Sequence, residues 1–163
     1  CLCSKSGYSW ICRDKDKVVM KIRAVIVLCF LSLGLNAQVS LLPIQEYKAG
    51  DSIHQSAILI SAPWCKWCTK MKSHTLEDNR LKDLPRKWVV YQFDYELQEP
   101  ILFGTQLFEP QSDGPHDLAK ALWGRENIEV PYFIILNDSN EVVFEHNGYL
   151  NAKELESVLR SKK

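Results

Sequence analysis

The sequence predicts an α/β domain, and three observations carry that prediction. A continuous apolar run of strand length, Ala57-Ile58-Leu59-Ile60, leads directly into a segment of helical spacing that holds Cys65 and Cys68. An unbroken run of this kind marks a strand buried on both faces, as in a sheet covered by helices on either side. Strand-type and helix-type segments then alternate, and the chain closes with a hairpin followed by a capped helix.

Residues 38–55 have mixed polarity and no clear period, and read as a lead-in with a short helix. The strand at 57–60 is ended by Ser61-Ala62-Pro63-Trp64, and a helix begins near Cys65 and runs to about Lys72. Within it Trp64, Cys68 and Met71 fall on one side at spacings of four and three. Residues 75–84 read as a second helical piece stopped by Pro85, and residues 88–94 as the next strand. Residues 95–115 are the least regular stretch, with three prolines and two glycines, yet they carry Ile101, Leu102, Phe103, Leu107 and Phe108. Such an apolar stretch is expected to cap the core, with a lip over a site as the alternative. Residues 116–123 predict a short helix with Gly124 at its C-terminal end, and residues 131–136 a strand. Asn137 to Asn140 supply a hairpin turn and residues 141–145 its partner strand. A last helix starts at Asn151, with Glu154 placed for a capping box and Leu155, Val158 and Leu159 facing inward. No internal repeat or second domain boundary interrupts this order.

The 163 residues are 46% hydrophobic and 25% charged, which is the composition of one ordinary globular domain. Twenty basic residues balance twenty acidic ones, so no broad basic field exists to hold a phosphate backbone, and nucleic acid is not an expected partner. The first residues differ from the rest. Met20-Lys21-Ile22-Arg23, an uncharged run from Ala24 to Leu35 and the small residue Ala37 form the n-region, h-region and cleavage point of a secretory signal peptide. The apolar run is too short for a spanning helix, which takes about 20 residues. The expected organisation is therefore an upstream leader at 1–19, a signal peptide at 20–37 cut after Ala37, and one exported domain at 38–163, periplasmic or extracellular. Leu35 is bulky for its place before the cut. Cys29 follows Leu28 instead of the small residue that lipoprotein processing requires.

Residues 1–37 hold six of the basic and two of the acidic residues, leaving 14 and 18 and a net charge of −4 on the exported domain. They also hold Cys1, Cys3, Cys12 and Cys29, so the domain keeps Cys65 and Cys68 alone. A pair so close closes a tiny loop and adds little to stability, which favours a reactive over a structural role. At a strand-to-helix junction the first thiol meets free N–H groups and the positive end of the helix, which favour its thiolate, and Lys66 adds positive charge. Cys65 is then the nucleophile that forms a mixed disulfide, and Cys68 resolves it. A zinc site would need four ligands, and no second cysteine pair exists in the domain; His54, His74, His116 and His146 are scattered and read as surface or packed residues. No metal and no cofactor are expected.

Trp64-Cys65-Lys66-Trp67-Cys68, the Val130-Pro131 pair opening an apolar strand, and Gly148 before the last helix together resemble the thioredoxin-like superfamily over residues 57–160. The resemblance implies a thioredoxin-like fold, a central mixed sheet flanked by helices with an insertion before the cis-proline loop. It implies that Pro131 is cis and packs against the thiols, keeping metals away, and that the backbone of Val130 pairs with an extended substrate segment. Trp64 would cover the edge of the site, and Lys66 and Trp67 would tune the redox potential. The bland reading of both tryptophans is packing.

Three departures from thioredoxin itself stand out. The buried acid six residues before the nucleophile is replaced by Leu59, its lysine partner falls near Val90, and 36 residues separate Asp94 from Pro131. A proton acceptor for Cys68 must then be another carboxylate or solvent. The expected function is an exported, bacterial-type protein disulfide reductase acting on disulfide- or thiol-containing proteins, a monomer fed by a membrane electron donor. An oxidase or isomerase is the alternative within the enzyme class. A redox-inert peptide-binding or metal-binding module of the same fold is the alternative outside it.

Overall fold

The computed structural model describes residues 39–49, 55–124 and 129–162. The leader and signal-peptide readings, and the placement of His54, lie outside the described residues. Among the described residues no helix is long and apolar enough to cross a membrane.

Five strands make one mixed sheet in the order β1-β3-β2-β6-β7, with β1 at Ser40–Pro43, β2 at Gln55–Ser61, β3 at Trp88–Asp94, β6 at Tyr132–Leu136 and β7 at Val142–Asn147. β1 and β2 run parallel to β3, while β6 is antiparallel to both β2 and β7. Helix α1 (Lys66–Lys70) follows β2 and widens into a π turn at Met71–Thr75. Helix α2 (Asp117–Trp123) precedes β6, and α3 (Ala152–Ser161) ends the chain. The remaining hairpin pairs β4 (Ile101–Phe103) with β5 (Gln106–Phe108).

The apolar run of β2 is unbroken because both faces of the sheet are covered. Ile58 and Ile60 point into a cluster with Tyr91, Phe93, Ile134, Ile101 and Leu118, under α2 and the hairpin. Ala57 and Leu59 point the other way, into a cluster with Val90, Phe133, Met71 and the α3 residues Leu155 and Leu159. Each fully buried Leu, Ile or Phe side chain contributes roughly 1.5–3 kcal/mol, so the sheet is held from both sides. The capping box of α3 is present: Asn151 Oδ1 accepts from the N–H groups of Lys153 and Glu154, and Glu154 Oε2 accepts from the Asn151 N–H.

The structure corrects four local expectations. The lead-in holds the expected short helix, a 3-10 turn at Ile44–Glu46, but begins with strand β1, because Leu41 and Leu42 find opposite faces of the sheet once β1 pairs with Val89 to Gln92. Residues 75–84 are not one helix: Thr75 closes the π turn and Asn79–Asp83 form a 3-10 segment that ends at extended Leu84, with Leu81 and Leu84 both buried. Trp64 lies in the turn ahead of the helix cap, so helical spacing does not place it beside Cys68; it is 63% exposed while Cys68 is fully buried. The segment at 95–115 caps the core as expected, through Leu97, Ile101, Phe103 and Phe108, but does so as a regular hairpin with Gly104 at φ +65° opening its two-residue loop.

Candidate active site

Cys65 and Cys68 sit where the C-terminal end of β2 turns into α1. Cys65 is the N-cap residue of the helix, with extended backbone, and Cys68 lies one turn on. The two form a disulfide with Cα atoms 5.2 Å apart. The turn is fixed by the Cys65 N–H donating to Ala62 O at 3.1 Å. Sγ of Cys65 accepts the backbone N–H of Cys68 at 3.0 Å, so the sulfur occupies the position that a capping oxygen takes at other helix starts. Both cysteines are buried, Cys65 at 4% exposure, and they cluster with Ala62, Tyr95 and Val130.

The Val130–Pro131 peptide bond is cis, and Val130 packs against the cysteines. Pro131 is buried, and its carbonyl accepts the N–H of Gly148 at 2.8 Å, which ties this loop to the chain leaving β7. Three of the sequence-predicted site residues, Cys65, Cys68 and Val130, are therefore brought into one cluster, with Pro131 beside them.

The two tryptophans meet different partners. Trp64 Nε1 donates to Glu96 Oε1 at 2.9 Å, and its ring stands edge-on to Tyr95 with centroids 6.4 Å apart. Burial and the neighbouring Glu96 carboxylate raise the Tyr95 phenol above its ordinary range. Trp67 is 57% exposed and tilts against Tyr149 at 5.5 Å. The Lys70 ammonium lies over both of those rings, 5.0 Å from the Trp67 centroid and 5.1 Å from that of Tyr149. Lys66 is exposed at the first helical position. The sequence did not single out Tyr95, Glu96, Lys70 or Tyr149; the aromatic residues following the β3 acid and following Gly148 were the available signal.

A family model of the thioredoxin-like domain matches residues 44–163. The chain belongs to the thioredoxin-like family. This thioredoxin-like domain resembles a thioredoxin from Thermus thermophilus at 18% identity and TM-score 0.52, covering 76% of this chain and 86% of that one. Also similar are an uncharacterised thioredoxin-like protein from Clostridium perfringens, at 16% identity and TM-score 0.46 over 80% and 90% of the two chains, and a structure described as DsbH oxidoreductase, at 12% identity and TM-score 0.46 over 78% and 89%. No curated protein matches the sequence.

Within this thioredoxin-like domain, Leu59 and Val90 are both fully buried in the cluster beneath α1 and α3, so the two positions flagged in the sequence are purely apolar. The residue beside Leu59 in the β2–β3 register is Gln92. Polar groups gather instead in a cleft of about 400 Å³ behind the start of α1, lined by Gln92, Asp94, Thr69 and Lys72 together with Ala62 and Pro63. His116 is not part of the site. It is buried and caps α2, its Nδ1 accepting from the Leu118 N–H at 3.1 Å and its Nε2 donating to Glu99 O at 3.0 Å. Among the described residues no three His, Cys, Asp or Glu side chains come together.

Proposed function

We propose that this domain is an exported thiol-disulfide oxidoreductase that reduces disulfides in other proteins, with Cys65 as nucleophile and Cys68 as resolving thiol. The observation that carries the reading is the hydrogen bond from the Cys68 N–H to Cys65 Sγ, because that N–H is equally placed to stabilise a Cys65 thiolate once the disulfide is reduced. The Cys65 thiolate attacks one sulfur of a substrate disulfide; the substrate S–S bond breaks, and the first substrate thiolate leaves and takes up a proton. Cys68 then gives up its proton and attacks Cys65 Sγ, which breaks the mixed disulfide and releases the second substrate thiolate. Two electrons reach the substrate sulfurs, which take up the proton given up by Cys68 and the one Cys65 released to solvent on forming its thiolate, and the Cys65–Cys68 disulfide that results is the species in the structure.

Val130, packed against the cysteine pair, Pro131 after it and Trp64, next to Cys65 in the chain, would hold the substrate segment, while Lys66 and Trp67, between the cysteines, would tune the couple. The acceptor of the Cys68 proton would be solvent, or a carboxylate such as Asp94, which lines the cleft that shares Ala62 with the cysteine cluster. The reductase direction rests on the family's many exported reductases, which take electrons from membrane carriers. Export rests on the signal-peptide pattern at residues 20–37, and the simple form of that pattern favours a bacterial, periplasmic setting.

The deciding experiment equilibrates the Cys65–Cys68 couple against glutathione and follows reduction of a protein disulfide by the dithiol form. A couple more reducing than glutathione, with turnover lost on Cys65→Ala and a trapped mixed disulfide on Cys68→Ala, is the expected result. A more oxidising couple would reassign the domain as an oxidase or isomerase, and no exchange at all would leave a binding module.

A further inference from the structure

We propose that the rim around Cys65 is charge-polarised and selects substrate segments with a basic side chain on the Trp64 side of the reacting cysteine and an acidic side chain on the Trp67 side. This rests on the disulfide-exchange reading above and adds a substrate class to it. The ring that Trp64 meets, Tyr95, belongs to the core beneath α2, whereas the ring that Trp67 meets, Tyr149, belongs to the core beneath α3. The Cys-x-x-Cys turn thus straddles the end of the sheet. A segment lying along Val130 and over Cys65 meets Trp64 toward one face and Trp67 toward the other.

The two ends carry opposite charge, and each charge is fixed by aromatic contacts. The Glu96 carboxylate is held by the Trp64 indole N–H at 2.9 Å. The Lys70 ammonium is held over two ring faces at 5.0 and 5.1 Å. An ordinary surface charge loses rotamer freedom when it engages a partner, which cancels much of the attraction. Charges already held by rings lose less of that freedom and so discriminate better. Lys66 and Glu129, next to Cys65 and Val130 themselves, are of opposite sign, and the Glu129 carboxylate is bonded by Asn147. They leave the polarity of the two ends in place. Lys72 lines the cleft behind α1.

The test uses the reduced full chain with Cys68→Ala, and with Cys1, Cys3, Cys12 and Cys29 replaced by serine so that Cys65 is its one thiol, and short blocked peptides whose one cysteine carries a thionitrobenzoate group. The Cys65 thiolate attacks the peptide sulfur, the peptide S–S bond breaks, and thionitrobenzoate leaves with the electron pair as a coloured thiolate while the Cys65-peptide disulfide forms. One peptide has lysine on the amino side and glutamate on the carboxy side of its cysteine, the second has them exchanged, and the third has glutamine at both places. One charged peptide is expected to react about five- to tenfold faster than the other at low salt, with the ratio collapsing near 1 M salt, where the screening length is about 3 Å. Exchanging the two charges in the protein, Glu96→Lys with Lys70→Glu, should invert the ranking. Equal rates for the two charged peptides, or a ranking that survives the exchange, overturns the proposal while leaving the exchange chemistry standing. Failure of all three peptides to react with a free Cys65 thiol would remove the oxidoreductase reading and this proposal with it.

Discussion

The Cys68 backbone nitrogen and the Cys65 sulfur are 3.0 Å apart, so the residue that caps helix α1 is also the proposed nucleophile. In the reduced protein, iodoacetamide is therefore expected to label Cys65 ahead of the fully buried Cys68 at neutral pH. Peptide mapping after brief labelling checks this. Cys68 labelled first would reverse the assignment of nucleophile and resolver.

Leu59 is fully buried in the core beneath α1, with Gln92 as its register neighbour. Restoring an acid there should harm the protein. Leu59→Asp places a carboxylate in an apolar cluster with no cation at Val90, and is expected to cost more than about 3 kcal/mol in urea unfolding. An unchanged unfolding midpoint would mean that the cleft lined by Gln92 and Asp94 admits the carboxylate to solvent.

His116 joins the hairpin segment to α2 through both ring nitrogens. His116→Ala is expected to cost about 2–4 kcal/mol, since it strips the helix cap and leaves the Glu99 carbonyl without its donor. His116→Asn, which keeps a capping group, should recover part of that loss. Equal losses in the two variants would show that the ring's packing against Phe93, with centroids 5.5 Å apart, matters more than its hydrogen bonds.

Tyr47 has its phenol pushed up from 10.0 to about 12 by burial and by Tyr91, and its hydroxyl donates to Asn140. The unfolded chain loses this proton at lower pH than the folded one, so between about pH 10 and 12 the folded state binds more protons and stability falls as pH rises. Tyr47→Phe is expected to flatten that decline. Unfolding free energies measured across the window check the slope; an identical slope in the variant would place the decline on other groups, Tyr95 among them.

The parts of the fold legible in the sequence are those whose burial is written in local pattern. The Ala57 to Ile60 run, the 88–94 strand and the Asn151/Glu154 cap each declare themselves within a few residues. β1 could not, because its four residues become a strand only through pairing with Val89 to Gln92, far along the chain. The β4–β5 hairpin did carry a signal: Gly104-Thr105 between Ile101-Leu102-Phe103 and Gln106-Leu107-Phe108 is a two-residue turn. The proline-rich flanks masked it. At the site, the cysteines and Val130-Pro131 were readable from motif, whereas Glu96, Tyr95, Lys70 and Tyr149 acquire meaning only from which tryptophan each one meets.

The segment between β3 and α2 leaves the sheet at Tyr95 and returns at His116, and the N–H of His116 donates to the Tyr95 carbonyl at 2.7 Å. The two feet of this excursion therefore stand on the same spot. A loop whose ends already touch is insensitive to its own length, since closure entropy grows only with the logarithm of the number of residues. Everything between the feet can lengthen, shorten or be exchanged in a related chain while Tyr95 stays against the cysteines. The hairpin is in that sense a replaceable cassette, and diversity among relatives should concentrate there while the surroundings of the cysteine pair stay constant.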